Sequence, residues 1–137
     1  MTNFLNTLRT TRQLVHIFHM LRLYFLRHAK AKSDADLADI DRPLAKRGRL
    51  DTAQMARRLT DWAEGPNLVL CSAAQRARET LAGIIPSLNG NILINIEVRL
   101  YTFDPNEVLG RLAEIHQSTA TVLLIGHNPA LVMSTKF

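Results

Sequence analysis

The sequence predicts an α/β fold with a mostly parallel sheet. Apolar segments with the length and composition of buried strands lie at about 21–27, 67–71, 92–98 and 121–125. Segments with the periodicity of amphipathic helices separate them. Strands that alternate with helices in this way are typical of βαβ units, in which consecutive strands run parallel.

Each predicted helix has its own start or stop signal. The first, expected at about 47–63, ends before Gly65, because glycine followed by proline breaks a helix. The second is expected to begin after Ser72, which has the spacing of a capping box with Gln75. The third begins after Asp104, which we interpret as an N-cap that precedes a first-turn proline.

Composition and charge limit the classes of protein to which this chain can belong. The chain has 137 residues, 47% of them hydrophobic, which is enough for one domain with a core. No apolar run approaches the roughly 20 residues that a membrane span needs. The net charge of +5 arises from residues 1–33, which hold six Lys/Arg and no acid, so we expect neither nucleic acid nor a membrane as partner. The single cysteine, Cys71, fits a reducing compartment, and we expect a cytoplasmic location.

The predicted domain organisation is an N-terminal extension, residues 1–20, followed by one domain at 21–137. Three interpretations of the extension stay open. It is a flexible or helical segment, it results from a start assigned too early so that Met20 is the first residue, or it is a transit peptide. Only two arginines lie in it, which argues against the third interpretation.

Cationic and imidazole side chains follow three of the predicted strands. The first ends in Arg27 and His28, Arg76 lies shortly after the second, and His127 follows the last. The carboxyl ends of parallel strands meet at one edge of a sheet, where α/β proteins bind ligands. Guanidinium groups bind phosphate oxygens in a bidentate fork, and a neutral imidazole can attack phosphorus. We therefore expect a phosphate site there, with the second imidazole, if protonated, as a donor to the phosphoryl oxygens.

The segments that carry these residues resemble the histidine phosphatase superfamily, and within it the small phosphohistidine phosphatases of SixA type. The matching segments are LYFLRHAKAKSD, DRPLAKRG, LVLCSAAQRARETL, LYTFDPNEVLGRL and VLLIGHNPAL, in family order over about residues 21–132. The resemblance implies a three-layer α/β/α fold of the phosphoglycerate mutase-like type. It also implies a mechanism that needs neither a metal nor a cofactor.

The resemblance assigns a role to each candidate site residue. By it, His28 is the nucleophile, Arg27 and Arg76 hold the phosphoryl group, and His127 completes the pocket. Arg42, in the DRPL segment, is a further phosphate-binding candidate.

The sequence departs from the family pattern in two places. Many members carry a general acid where this chain has Thr102, and Glu97 is the nearby candidate for a proton donor, its alternative being a solvated charge at a strand edge. The family fold usually continues with another helix and strand after the GHNP segment, whereas this chain stops at Phe137. We therefore expect a fold that lacks the last elements and a domain truncated at its C-terminus.

These observations predict a metal-independent phosphatase that transfers a phosphoryl group to His28 and then to water, acting on phosphohistidine in a protein. A small-molecule phosphomonoesterase is the alternative enzyme, and an inactive phosphate- or phosphoprotein-binding protein is the alternative without catalysis. A cysteine phosphatase built on Cys71 is disfavoured, because four residues rather than five separate it from Arg76. The oligomeric state stays open.

Overall fold

The computed structural model describes residues 21–128, which form a parallel sheet with helices on both faces. The strands are β1 Arg22–Arg27, β2 Leu68–Ser72, β3 Leu93–Glu97 and β4 Thr121–Gly126. The helices are α1 Lys46–Leu59, α2 Gln75–Ile84 and α3 Pro105–Ala113, joined by short 3₁₀ turns. The predicted extension at 1–20 lies outside the described residues, as does the end of the predicted domain.

The order of the strands determines which residues can meet. The sheet runs β1-β4-β2-β3, and every pair of neighbouring strands is parallel. Arg27 is opposite Gly126 on β4, and Ser72 is opposite Glu97 on β3. Because β4 lies between β1 and β2, the residue that follows it, His127, emerges between His28 and Ser72. The predicted parallel sheet is confirmed.

Side chains of β2 and β4 alternate between two apolar clusters, as the strand period of two requires. One cluster packs beneath α1 and α2 and the other beneath α3, so the predicted three-layer arrangement is confirmed. The first cluster includes Val69, Cys71, Leu123 and Ile125 from the strands, with Ala56 from α1 and Ala77, Leu81 and Ile84 from α2. The second includes Leu68, Leu70, Val122 and Leu124, with Val108 from α3.

Two helix boundaries differ from the prediction. Helix α1 ends at Leu59 rather than near residue 63. Trp62 leaves the helix and packs against Tyr24, with 4.6 Å between ring centroids, so a contact with the sheet overrides the helical pattern. The predicted capping box at Ser72 is wrong, because Ser72 is the last residue of β2 and Ala74 is the N-cap of α2.

Backbone hydrogen bonds hold the start and the end of the long connection between β1 and α1 together. Ala31 and Leu44 form an antiparallel bridge, and the Ala45 N–H donates to the Lys30 carbonyl at 2.8 Å. Gly48 in α1 approaches the same carbonyl so closely that a Cβ atom there would lie 2.2 Å from its oxygen. Only glycine permits this packing, which brings Arg42 alongside the end of β1. Within residues 21–128, no helix is both long and apolar enough to cross a bilayer.

Candidate active site

The structure brings the side chains that follow β1, β2 and β4 together at one edge of the sheet. The ring centroids of His28 and His127 are 5.1 Å apart, and Arg76 Nε is 3.3 Å from His28 Nε2. Arg27 and Arg42 line the same cleft as His28, which has a volume of about 590 Å³. The residues that the sequence places at the ends of these strands therefore lie close together.

The hydrogen bonds of His28 leave one ring nitrogen, Nε2, unprotonated. Nδ1 lies 2.7 Å from the Ala29 carbonyl oxygen, to which it can only donate. Nε2 then carries no proton and accepts from Arg76 Nε. Burial lowers the pKa of His28, and the charge of Arg76 lowers it further, against the opposing effect of the bond to Ala29. The imidazole is therefore neutral near pH 7, with Nε2 available as a nucleophile.

Arg76 is buried and fixed in place although it carries a charge. Its side chain, in the first turn of α2, is 2% exposed. Nη1 donates to the Asp39 carbonyl at 2.6 Å, and Nη2 donates to Asp39 Oδ2 at 3.0 Å. A guanidinium group held on three sides is pre-organised for an oxyanion that lies beside His28.

Within residues 21–128, His127 contributes a hydrogen-bond donor that has no protein partner. Its Nε2 is 2.7 Å from Ser72 Oγ, which also accepts the Ala74 N–H at 3.2 Å. The Ser72 hydroxyl proton is thus available to Nε2, and a neutral imidazole then carries its own proton on Nδ1. Within residues 21–128, this buried Nδ1 has no hydrogen-bond partner. Such an unpaired group costs free energy unless a ligand completes its bonding.

The sequence suggested that the second imidazole, His127, donates in its protonated form, but His127 is not protonated in this site. Burial lowers the pKa of His127 to about 4, with Arg76 contributing in the same direction. The ring is neutral near pH 7 because it is 1% exposed and lies beside cations. It can still donate, since the bond from Ser72 directs its single proton to Nδ1.

Asp39 is a central residue of the site that the sequence analysis did not identify. Its carboxylate accepts the Tyr101 hydroxyl at 2.5 Å, Arg76 Nη2 at 3.0 Å and Arg42 Nη2 at 2.9 Å. The bond from Tyr101 and those from the two guanidinium groups hold the pKa of Asp39 well below its usual range. The spacing of Asp39 and Arg42 is an available signal, because residues three apart meet in a single helical turn. Nothing in the sequence reveals the contact with Tyr101, 62 residues away.

The two remaining candidates have different positions. Arg42 lies in the cleft, where it binds Asp39 and donates to the Lys32 carbonyl at 3.3 Å. Glu97, the candidate proton donor, accepts Arg111 Nε at 2.9 Å on both carboxylate oxygens. Within the described part of the chain, the hydrogen bonds of the Glu97 side chain go to Arg111 and not to either histidine of the cleft.

Cys71 has the properties of a core residue. Its side chain is fully buried in β2 and packs in the cluster beneath α1 and α2. Burial raises the pKa of the thiol to about 12. A thiolate is the nucleophilic form of cysteine, so the structure argues against a cysteine-based phosphatase, as the spacing to Arg76 did.

The fold and the cleft together define an α/β protein with two imidazoles in an arginine-lined site at the carboxyl edge of a parallel sheet. A model of the histidine phosphatase superfamily (branch 1) matches residues 23–131. The chain belongs to the histidine phosphatase superfamily.

Curated relatives and solved structures agree with this family. The chain is 35% identical over 106 residues to an uncharacterized protein of Mycobacterium tuberculosis, covering 76% of this chain and 63% of that protein. It is 33% identical over 117 residues to an uncharacterized chloroplastic protein of Arabidopsis thaliana, covering 78% of this chain and 54% of that protein. The chain thus spans between about half and two thirds of the length of these relatives.

Two solved structures are similar in fold and sequence. One is the protein histidine phosphatase SixA complexed with tungstate, with a TM-score of 0.69 and 30% identity over 80% of this chain and 70% of that one. The other is a protein from Agrobacterium tumefaciens proposed to be the phosphohistidine phosphatase SixA, with a TM-score of 0.76 and 30% identity. That match covers 83% of this chain and 73% of the other.

Proposed function

We propose that this chain carries the catalytic site of a metal-independent phosphatase that transfers a phosphoryl group to His28 and then to water. The observation that carries the proposal is the lone pair of His28 Nε2 beside the buried guanidinium of Arg76 and the unpartnered Nδ1 of His127. A nucleophile and oxyanion donors that converge on one small space are the arrangement that phosphoryl transfer requires.

The reaction has two steps in this site. His28 Nε2 forms a bond to phosphorus as the bond to the leaving group breaks, and the leaving group takes a proton. A water oxygen then attacks the phosphorus of the phosphohistidine intermediate, the P–N bond breaks, and phosphate leaves. Arg27, Arg42 and Arg76 neutralise the phosphoryl oxygens, and the Nδ1–H of His127 donates to one of them.

We propose phosphohistidine in a protein as the substrate. Two of the similar solved structures are described as SixA, one of them as a protein histidine phosphatase and the other as proposed to be a phosphohistidine phosphatase. Tungstate, bound in one of them, is a tetrahedral oxyanion like phosphate. The pairing of Glu97 with Arg111 also favours an imidazole leaving group, because a labile P–N bond needs no strong acid and water or the substrate can supply the proton. The single buried thiol favours a reducing compartment such as the cytoplasm.

One observation favours the non-catalytic alternative. Asp39 occupies two donors of Arg76, the guanidinium that a phosphoryl group must also contact. A protein that binds phosphate in this cleft without turnover is therefore the second candidate function. A small phosphate ester is the alternative substrate of an active enzyme.

A comparison of turnover by two histidine variants distinguishes these functions. The protein is incubated with a phosphohistidine-bearing protein and with an aryl phosphate, and His28→Ala is compared with His116→Ala, which removes an exposed imidazole. We expect turnover and an acid-labile phosphoryl-enzyme in the wild type and in His116→Ala, and neither in His28→Ala. Equal turnover in both variants removes His28 from the mechanism, and tungstate binding without turnover in the wild type indicates the non-catalytic function.

A further inference from the structure

A large aromatic side chain is exposed beside the proposed phosphoryl site. Phe103 is 51% exposed, and its ring centroid is 5.6 Å from that of His127. Tyr101 lies next to it, with centroids 6.4 Å from Phe103 and 5.6 Å from His127. We refer to Tyr101 and Phe103 as the aromatic wall. The ring of Phe103 is therefore accessible to a ligand in the cleft beside it.

The backbone around the aromatic wall is fixed by hydrogen bonds. Thr102 Oγ1 accepts the Asp104 N–H at 3.0 Å, and Asp104 caps α3 by accepting the Asn106 N–H at 2.9 Å. Because Phe103 lies between these two turns, its exposure results from a defined backbone geometry.

Tyr101, one of the two residues of the aromatic wall, also contacts the charged residues of the site. Its hydroxyl donates to Asp39, and its ring lies 5.9 Å from the guanidinium carbon of Arg76. These contacts place Tyr101 against the residues of the proposed phosphoryl site.

Phe103 lies beside His127, at the rim of the proposed phosphoryl site. In an in-line displacement at phosphorus, the leaving atom lies opposite the attacking His28 Nε2. Among the aromatic contacts of the described residues, the Phe103 ring is paired with His127 and Tyr101 and not with His28. Its exposed face is thus available to a group that extends from the phosphorus out of the cleft.

We propose that Phe103 is a specificity-determining residue that stacks on a planar leaving group, the imidazole ring of the phosphohistidine substrate. This inference rests on the proposed function and deepens it. Aromatic rings attract each other at centroid distances of about 4.5–7 Å, beyond the gain from apolar contact alone. An alkyl or sugar leaving group lacks this interaction, so the aromatic wall favours phosphorylated imidazole over alkyl phosphate esters.

A pair of small substrates isolates this effect. Phosphoimidazole and phosphoramidate both have a P–N bond, but only the first has a ring. In Phe103→Ala we expect the ratio of kcat/KM for phosphoimidazole to that for phosphoramidate to fall about tenfold, mainly through KM. Phe103→Trp should keep the ratio within about twofold, and Phe103→Leu should lose most of it. Leu93→Ala, which removes another exposed apolar side chain, controls for general surface effects.

A binding experiment keeps this test independent of turnover. Phenylphosphonate and methylphosphonate, which are not hydrolysed, are titrated into the wild type and the Phe103 variants, each checked for folding by circular dichroism. We expect the preference for phenylphosphonate to fall about tenfold in Phe103→Ala and to return in Phe103→Trp. A preference unchanged in Phe103→Ala, in binding or in kcat/KM, overturns the inference. A wild type that binds phenylphosphonate preferentially but turns over neither P–N substrate nor a phosphohistidine-bearing protein refutes the proposed function and leaves the aromatic wall supported.

Discussion

Two arginine–carboxylate clusters of this molecule differ in charge balance and burial. At the cleft, the pKa of His28 is lowered by the charges of three arginines, Arg76, Arg27 and Arg42. Two of them, Arg42 and Arg76, form ion pairs with the same carboxylate, that of Asp39. Around α3, Arg111 binds Glu97, and Arg99 contacts both Glu107 and Glu114. The cleft therefore has an excess of cations, whereas the α3 cluster has an excess of carboxylates.

The difference in burial between the two clusters distinguishes the proposed binding cleft from a surface that carries exposed ion pairs. Arg76 is 2% exposed, while Arg99 is 42% exposed and its partners are more exposed still. Burial of a charged group is costly for folding, and the carboxylate that pairs with Arg76, Asp39, is itself half exposed. Exposed ion pairs in water contribute little to stability and attract no ligand. The burial of Arg76 and the excess of cations around it, rather than the number of arginines, thus distinguish the cleft.

The largest expected effect comes from exchanging the buried guanidinium for an amine. Arg76→Lys keeps the charge but loses the fork that holds His28, Asp39 and a phosphoryl oxygen in one geometry. We expect kcat/KM to fall about 10²- to 10³-fold. The matched Arg111→Lys in the α3 cluster should change kcat/KM by less than about threefold. Comparable losses in both variants would mean that the Glu97–Arg111 pair takes part in catalysis.

Acid should destabilise the protein through the cleft. Burial lowers the pKa of His127 from about 6.5 in the unfolded chain to about 4 in the folded protein, so between these values the unfolded state binds the extra proton. Stability is therefore lost as pH falls from about 6.5 to 4, by about 3 kcal/mol for this group. Urea unfolding measured across this range should show the decrease, and His127→Asn should flatten it. A decrease of the same size in His127→Asn would assign the acid sensitivity elsewhere.

The smallest effect is expected at the exposed end of the α3 cluster. Arg99→Ala removes contacts with Glu107 and Glu114, both more than half exposed. The free energy of unfolding should fall by less than about 1 kcal/mol, and kcat/KM should stay within about twofold of the wild type. Denaturant titration and a phosphatase assay measure the two quantities. A large loss of activity would show that α3 supports the aromatic wall or the cleft.

The sequence located the convergent side chains because a parallel sheet imposes a simple geometry. Apolar runs identify the strands, and the residues after β1, β2 and β4 must emerge at the same edge. His28, Arg76 and His127 could therefore be grouped before any coordinates were known. The start of α3 was equally predictable, since Asp104 caps it through a contact two residues away.

The layers, the parallel sheet and the group of strand-end residues follow from the amino-acid pattern, because strand and helix periodicity are local properties. The contacts between distant segments depend on how the elements pack. Ser72 binds His127 instead of capping α2, Trp62 leaves α1 for Tyr24, and Asp39 reaches Tyr101. Each of these polar or aromatic groups has several local alternatives of similar free energy, and only the packed neighbours choose among them.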